Sequence, residues 1–320
     1  MEAHGDERPL VSVVLPVRNG ERWIRESLSS LREQTFQDFE VILVDDGCTD
    51  QSVNIARELA APRMRIISGS GRGLASALAR GVLAAEGEFI ARLDVDDVSQ
   101  PTRLRRQVAA FVSDPELVIV GSWAREIDER SQAVGVLKTP RSDRGIQIYS
   151  IIFNPFIHSS VMLRKSAVLK AGNYRSPDEG PYPEDFDLWV RMIRFGTALN
   201  LEECLVDYRR SGGSEMSTND KLIRQRSAEI CAESALSRFG ADIAPAEDAF
   251  LLGYFHWRSG RVGFREAWRL VSLLVRLRRV FGWRPSRSRL TWSTYIKPFG
   301  WFIQDSWISV KTRGSGVHVG

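Results

Sequence analysis

Aspartates arrive in this 320-residue chain in short bursts, and two of the bursts close apolar runs. Asp94-Val95-Asp96-Asp97 follows FIARL, and Asp45-Asp46-Gly47-Cys48-Thr49-Asp50 overlaps the end of EVILV. Carboxylates as close as Asp94, Asp96 and Asp97 repel one another unless a cation lies among them. Asp94 and Asp96 stand two apart at a strand end, so strand alternation would turn both to one side, while Asp97 begins the turn. Oxygen ligands that leave positions open for water and phosphate suit a hard divalent ion such as Mg2+ or Mn2+. No His or Cys stands beside them to favour zinc. Helix capping ahead of Pro101 is the competing use; it would employ Ser99 or Asp97 and leave Asp94 unexplained.

The other clusters each carry two readings. Asp46-Gly47 is an ordinary turn signal, and Asp50 reads mainly as the N-cap of a helix starting at Gln51. At the lip of a parallel sheet, Asp45 and Asp46 would instead accept from a base imide N–H or from ribose hydroxyls. Gly69-Ser-Gly-Arg-Gly73 is spaced G-x-G-x-G and follows the third strand, which argues against a dinucleotide fingerprint. Its glycines still permit close backbone approach, and Arg72 would either pair with a phosphate or lie solvated on a turn. Pro183-Glu184-Asp185-Phe186-Asp187-Leu188-Trp189 opens an amphipathic helix, 184–195. Acids there are good capping chemistry, and the helix dipole would also keep Asp185 ionised as a general base requires. His158, in Asn154-Pro-Phe-Ile-His-Ser-Ser-Val-Met162, is either a hydrogen-bonded structural residue or part of a site.

These residues need elements to place them. VSVVLPV at 11–17 is a β-branched run followed by Trp23, Ser27, Leu28 and Leu31 at helical spacing. The pattern repeats as strand 40–44 with helix 50–61, strand 64–68 with helix 73–85, and strand 89–93 with a helix opening near Pro101. Apolar strands alternating with amphipathic helices give an α/β fold whose mainly parallel sheet is covered on both faces, with ligands beyond the carboxyl ends of its strands. The aspartate bursts and the glycine loop then gather on one edge.

Composition sets the outer bounds. The chain is 43% hydrophobic, enough for a proper core. Its three widely spaced cysteines, Cys48, Cys204 and Cys231, make neither a disulfide framework nor a CxxC pair. The N-terminus has no apolar h-region, and no run of uncharged apolar residues is long enough to span a bilayer, so a cytoplasmic location is expected. The net charge of +4 conceals an asymmetry. Residues 261–300 carry ten basic side chains against one acid, and six of nine tryptophans lie at or beyond Trp257. Residues 219–281 read as helices, with Arg265, Arg269, Arg276 and Arg279 on one stripe of 264–281. Such a helix would rest on anionic lipid, or simply pack its apolar face on the preceding domain. No nucleic-acid motif accompanies the charge, so nucleic acid is not an expected partner.

Taken together, VSVVLPVRN, SLREQTFQDFEVILVDDGCTDQS, GRGLASALARGVLAAEGEFIARLDVDD, NPFIHSSVMLRKSAVLKAGNY and PEDFDLWVRM resemble the bacterial family-2 glycosyltransferases, with a looser match at DYRRSGGSEMS. The resemblance covers roughly residues 10–217. It implies a GT-A fold, Rossmann-like, with a catalytic domain over 1–218 and a mostly helical extension over 219–320. Within the domain it implies a nucleotide-sugar half near 10–100 and an acceptor half near 101–218. It further implies transfer of one sugar from a nucleotide diphosphate, UDP-sugar favoured, to a hydroxyl of a glycan or lipid-linked acceptor, with inversion and a Mg2+ or Mn2+ ion. By position, Asp45 and Asp46 would bind base and ribose, and Pro16 and Asn19 would shape the nucleotide floor. Asp94 and Asp96 match the DXD element, with Asp97 a further metal ligand. Asp185 matches the base and Glu184 its neighbour, Arg72 would offset diphosphate charge, and His158 and Trp189 are acceptor-side candidates. Three departures stand out: Cys48 replaces the usual Ser, Arg80-Gly81 replaces Arg-Asn-x-Gly, and the Q-x-x-R-W signature of processive synthases is missing. A silent scaffold subunit and a nucleotidyltransferase are the rival readings.

Overall fold

Seven consecutive buried residues, Val11–Val17, form β1, the central strand of a computed structural model that describes residues 8–59, 63–151, 153–175, 183–210, 220–239 and position 272. Burial on both faces explains why this strand reads as a continuous apolar run rather than an alternating one. It pairs in parallel with β2 (Phe39–Asp45) on one side and β4 (Phe89–Arg92) on the other, and β3 (Met64–Ser68) pairs in parallel with β2. Helices α1 (Ile24–Arg32), α2 (Ser52–Leu59) and α3 (Leu74–Ala84) connect these strands. This half follows the sequence expectation, with α2 starting two residues later than expected and α3 one residue shorter at each end.

The sheet then changes character. Its order is β3-β2-β1-β4-β8-β6-β9-β5, where β5 is Val98–Ser99, β6 Leu117–Ile127, β8 Met162–Arg164 and β9 Thr197–Arg209. β7 (Ala133–Leu137) adds to β6 as an antiparallel hairpin. β8 runs antiparallel to β4 and to β6, and β9 is parallel to β6. The sheet is therefore mixed, with β5, β7 and β8 reversed against the parallel majority. Further helices are α4 (Arg103–Ser113), α5 (Asp143–Tyr149), α6 (Lys165–Lys170), α7 (Glu184–Met192) and α8 (Asp220–Phe239), with a 3-10 turn at His158–Ser160.

Two cores sandwich the sheet. Val11, Val13, Leu15 and Val17 of β1 pack with Leu28 and Leu31 of α1 and with Leu104 and Phe111 of α4. Val14, Ile42 and Val44 face the other way, toward Leu78 and Val82 of α3 and Leu188, Trp189 and Met192 of α7. Leu188, Trp189 and Met192 are fully buried, each contributing roughly 2 kcal/mol of burial that holds α7 to the sheet. The opposite side of α7 presents Phe186 and Val190 to Ile230 and Cys231 of α8, so the C-terminal extension begins by covering this helix. The basic helix 264–281, the tryptophan-rich segment to 310 and the DYRRSGGSEMS match beyond Arg210 lie outside the described residues. Among the described residues, no helix is long and apolar enough to cross a membrane.

Candidate active site

β4 ends at Arg92, two residues before the first aspartate, and the chain turns so that Asp97 N donates to Asp94 O at 3.2 Å. This corrects the expected mechanism of convergence. A turn, not strand alternation, brings Asp94, Asp96 and Asp97 together, each offering a carboxylate oxygen within 4.8 Å of the others. Asp97 is 1% exposed; its Oδ1 accepts from Arg209 N at 2.8 Å, and its Oδ2 is buried with no hydrogen-bond partner among the described residues. Asp94 Oδ2 accepts from Ser159 Oγ at 3.0 Å and forms an ion pair with Arg92, which is itself buried. Arg92 also donates to Ser159 Oγ at 2.7 Å. Beneath it a second buried guanidinium, Arg103, donates to Arg92 O at 2.6 Å.

Burial, reinforced by the neighbouring Asp94 carboxylate, raises the Asp96 carboxyl above the usual range. Burial followed by the charges of Asp94 and Asp96 raises Asp97 well above it. Converging carboxylates whose mutual repulsion opposes ionisation, one carrying an orphaned buried oxygen, fit an oxygen-ligated divalent cation. Arg209 clamps the far side of this turn. It donates through Nε to Asp96 O at 2.8 Å and through its terminal nitrogens to Asp128 O and Glu26 Oε2, with its guanidinium 4.1 Å over the Trp23 ring.

The nucleotide-side candidates gather at the carboxyl ends of β1 to β3. Pro16 is buried within β1 opposite Val44. Asn19, with φ +54°, accepts from Thr49 N at 2.8 Å and ties the first loop to the second. Asp45 Oδ1 accepts from Cys48 N at 2.8 Å and Gly47 N at 3.2 Å, which is the turn chemistry read from the sequence. Asp46 departs from expectation. It is 3% exposed, and its two oxygens accept from Gly71 N at 2.8 Å and Gly73 N at 2.9 Å. It therefore supports the glycine loop rather than facing a base or ribose. That loop needs its glycines: Gly71 and Gly73 have φ of +68° and +94°, and a Cβ on Gly69 would lie 2.7 Å from Asp46 Oδ1. Arg72 sits exposed at the loop's crest. Cys48 Sγ lies 3.5 Å from Val17 O, a weak contact where a hydroxyl would bond more strongly. Asp50 accepts from Ser52 N and Glu21 N, both at 2.9 Å, as a cap would.

Glu184 and Asp185 open α7 behind Pro183. Asp185 Oδ1 accepts from Phe186 N and Oδ2 from Asn154 Nδ2, both at 2.6 Å. The dipole alone does not set its titration. Burial raises the Asp185 carboxyl, while these donors and Arg92 hold it back. Burial and the adjoining Asp185 charge push Glu184 up to about 8. The donors to Asp185 favour its ionised form, and burial beside that charge favours the protonated form of Glu184. His158 Nδ1 lies 3.9 Å from Glu184 Oε1 and its Nε2 3.1 Å from Tyr174 Oη; burial and then Arg92 keep its pKa well below the usual histidine range. Trp189 is 0% exposed and meets Phe156, His158 and Tyr174 edge-on. It anchors α7 in the core and does not meet an acceptor, contrary to the sequence expectation.

Arg92, Ser159, Arg209 and Asn154 were not singled out from sequence. The first two adjoin residues that were, so their proximity was the available signal. Arg209 and Asn154 reach the site only through tertiary contact.

Comparison with known proteins bears on the family and the fold. The family described as Glycosyl transferase family 2 matches residues 12–170. The amylovoran biosynthesis glycosyltransferase AmsE of Erwinia amylovora is 31% identical over 213 residues, 65% of this chain and 78% of AmsE. Among solved structures, residues 1–349 of Staphylococcus aureus TarS in complex with UDP-GlcNAc superimpose with a TM-score of 0.61 at 17% identity, covering 84% of this chain and 81% of that one. The mannosyltransferase PcManGT of Pyrobaculum calidifontis, in complex with GDP-Man and Mn2+, gives 0.55 at 17% identity, covering 98% and 89%. The likenesses to solved structures establish a GT-A fold, and the sequence relationship establishes the activity class, which removes the scaffold and nucleotidyltransferase readings. The chain belongs to glycosyl transferase family 2 and is a glycosyltransferase.

Proposed function

We propose that this enzyme transfers a single sugar, with inversion, from a nucleotide diphosphate donor to an acceptor hydroxyl in the assembly of a surface polysaccharide or lipid-linked glycan. The observation that carries the reading is the buried, unpartnered Asp97 Oδ2 beside Asp94 and Asp96. Asp94, Asp96 and Asp97 would hold the divalent cation, Mg2+ or Mn2+, which when bound neutralises charge growing on the leaving diphosphate. A UDP-sugar is the favoured donor, in line with the UDP-GlcNAc bound by TarS. The AmsE name supports the polysaccharide pathway.

The residues of the chain divide the remaining work. Asp45 and Asn19 border the base and ribose position, and Pro16 lies in its floor. Asp46 fixes the glycine loop so that Arg72 projects from it toward a phosphate. Asp185 takes the proton of the acceptor hydroxyl at a carboxylate oxygen as that hydroxyl attacks the anomeric carbon opposite the leaving group. A single displacement of this kind inverts configuration. Glu184, whose burial favours its protonated form, would keep a second negative charge away from the diphosphate. The basic segment 261–310 would bring the enzyme to anionic lipid at the cytoplasmic face, where a lipid-linked acceptor lies.

Calorimetric titration of UDP with and without Mn2+, on wild type and on Asp94→Ala/Asp96→Ala, tests the donor site. Metal-dependent binding that vanishes in the double variant is expected. Binding that ignores both metal and substitution would refute it. Asp185→Asn should lose turnover by at least ~100-fold with UDP affinity retained, and unchanged turnover would remove Asp185 as the base.

A further inference from the structure

Asn154 contacts the carboxylate assigned above as the base, and its own placement is over-determined. Its Oδ1 accepts from Phe156 N at 3.2 Å, which fixes the orientation of the amide and leaves Nδ2 to donate to Asp185 Oδ2 at 2.6 Å. The next residue, Pro155, restricts the backbone of Asn154, and Pro155 O accepts from Asn200 Nδ2 at 3.0 Å. Asn200 is fully buried and also donates to Pro140 O at 2.8 Å, so the loop is braced from β9. Four residues on, His158 faces Glu184, and Ser159 donates to Asp94. One short segment thus touches the base, its neighbour and the acidic cluster.

We propose that Asn154 is a positioning residue for the base, holding Asp185 Oδ2 in a fixed orientation and keeping its carboxylate ionised while the segment 154–159 sets the base against the acidic cluster. This rests on the reading of Asp185 as the base. The chemistry suits the task. A neutral amide stabilises the anion without the strong suppression of basicity that a contacting guanidinium would bring. The charged and titratable groups around Asp185 are Glu184 on its own helix, Arg92 and Asp94 from β4 and its loop, His158 from the 3-10 turn and Tyr174 after α6. Among the described residues, Asn154 is the one whose side chain donates directly to the carboxylate.

The test is a titration of the Asp185 side-chain carbon by NMR, using protein labelled with [13C]aspartate and assigning the signal by its disappearance in Asp185→Asn. Asn154→Ala removes the donor and should raise the Asp185 pKa by about one pH unit. Asn154→Asp is isosteric and keeps the acceptor for Phe156 N, so it protects the fold. By placing a second carboxyl on Asp185 it should raise the apparent pKa of the pair further, by about two pH units. A pKa unmoved in both folded variants would overturn the proposal and leave Asp185 as the base. Turnover retained in Asp185→Asn would remove the base reading instead, so the two failures are distinguishable.

Discussion

Arg92 offers the sharpest quantitative test of how this site is held together. Its side chain is 2% exposed and paired with Asp94, whose side chain is 29% exposed. Arg92→Met preserves much of the volume and removes the charge. Deleting one partner of a fully buried pair costs about 3–5 kcal/mol, and partial solvation of Asp94 should reduce this to about 2–4 kcal/mol. For a domain of this size that corresponds to a melting temperature lower by roughly 5–12 °C. The charge origin gives two further signatures. A divalent cation supplies the missing positive charge, so Mn2+ should restore more stability to the variant than to wild type. Acid should help too. With Arg92 gone, the folded pKa values of Asp96 and Asp97, already raised by burial, rise further above those of the unfolded chain. The folded state then binds protons the unfolded state does not, and the deficit shrinks as the pH falls from about 7.5 toward about 5.5. Thermal melts by differential scanning fluorimetry at both pH values, with and without MnCl2, measure all three effects. A loss that is the same under every condition would mean that packing, not charge, is at stake, and would refute the reasoning.

Asp46→Asn keeps the side-chain volume but sets an NH2 group against one backbone N–H, so one of the charge-assisted bonds to Gly71 N and Gly73 N, about 1.5–3 kcal/mol each, is lost and the other loses its charge. UDP affinity should fall at least ~10-fold by calorimetry. Gly69→Ala puts a methyl group 2.7 Å from Asp46 Oδ1 and 2.9 Å from Asp45 O, so backbone must shift; it should weaken UDP binding comparably and lower the melting point as well. Glu184→Gln bears on the raised pKa of Glu184. Wild-type stability should decline as pH rises from the ordinary glutamate range toward about 8, because the folded chain holds a proton there that the unfolded chain releases, and melts of the Gln variant should lack this decline.

The parallel half of the fold was legible because buried strands and amphipathic helices leave opposite signatures. VSVVLPV is apolar at nearly every position, while Ile24, Leu28 and Leu31 recur at helical spacing. The second half was harder. β5 is only two residues long and carries no period that can be recognised. β9 alternates irregularly because its register against β6 shifts, which breaks the two-residue repeat. Length and bulges, rather than unusual residues, hid these strands.

The site divides along a different line. The residues proposed to meet donor, cation or acceptor are polar and stand at a strand or helix end, and Asp94, Asp96, Asp97 and Asp185 stood out for that reason. Residues that hold them are polar in the interior, where sequence gives no sign of burial. Arg92 sits in a strand that reads as apolar, and Arg103 and Gln107 look like the solvated face of an amphipathic helix. In the structure all three are buried and bonded, Gln107 Nε2 reaching Val120 O and Ser160 O at 2.8 Å. Asp46 shows the converse. Its chemistry was visible, but its partners were the backbone amides of a loop 25 and 27 positions away, a pairing set by the approach of β2 to the loop after β3. A carboxylate at a sheet edge is therefore two different objects, depending on whether the donors around it are the protein's own. Asp46 has them; Asp97 Oδ2 has none among the described residues, and the proposed cation site rests on that unsatisfied acceptor.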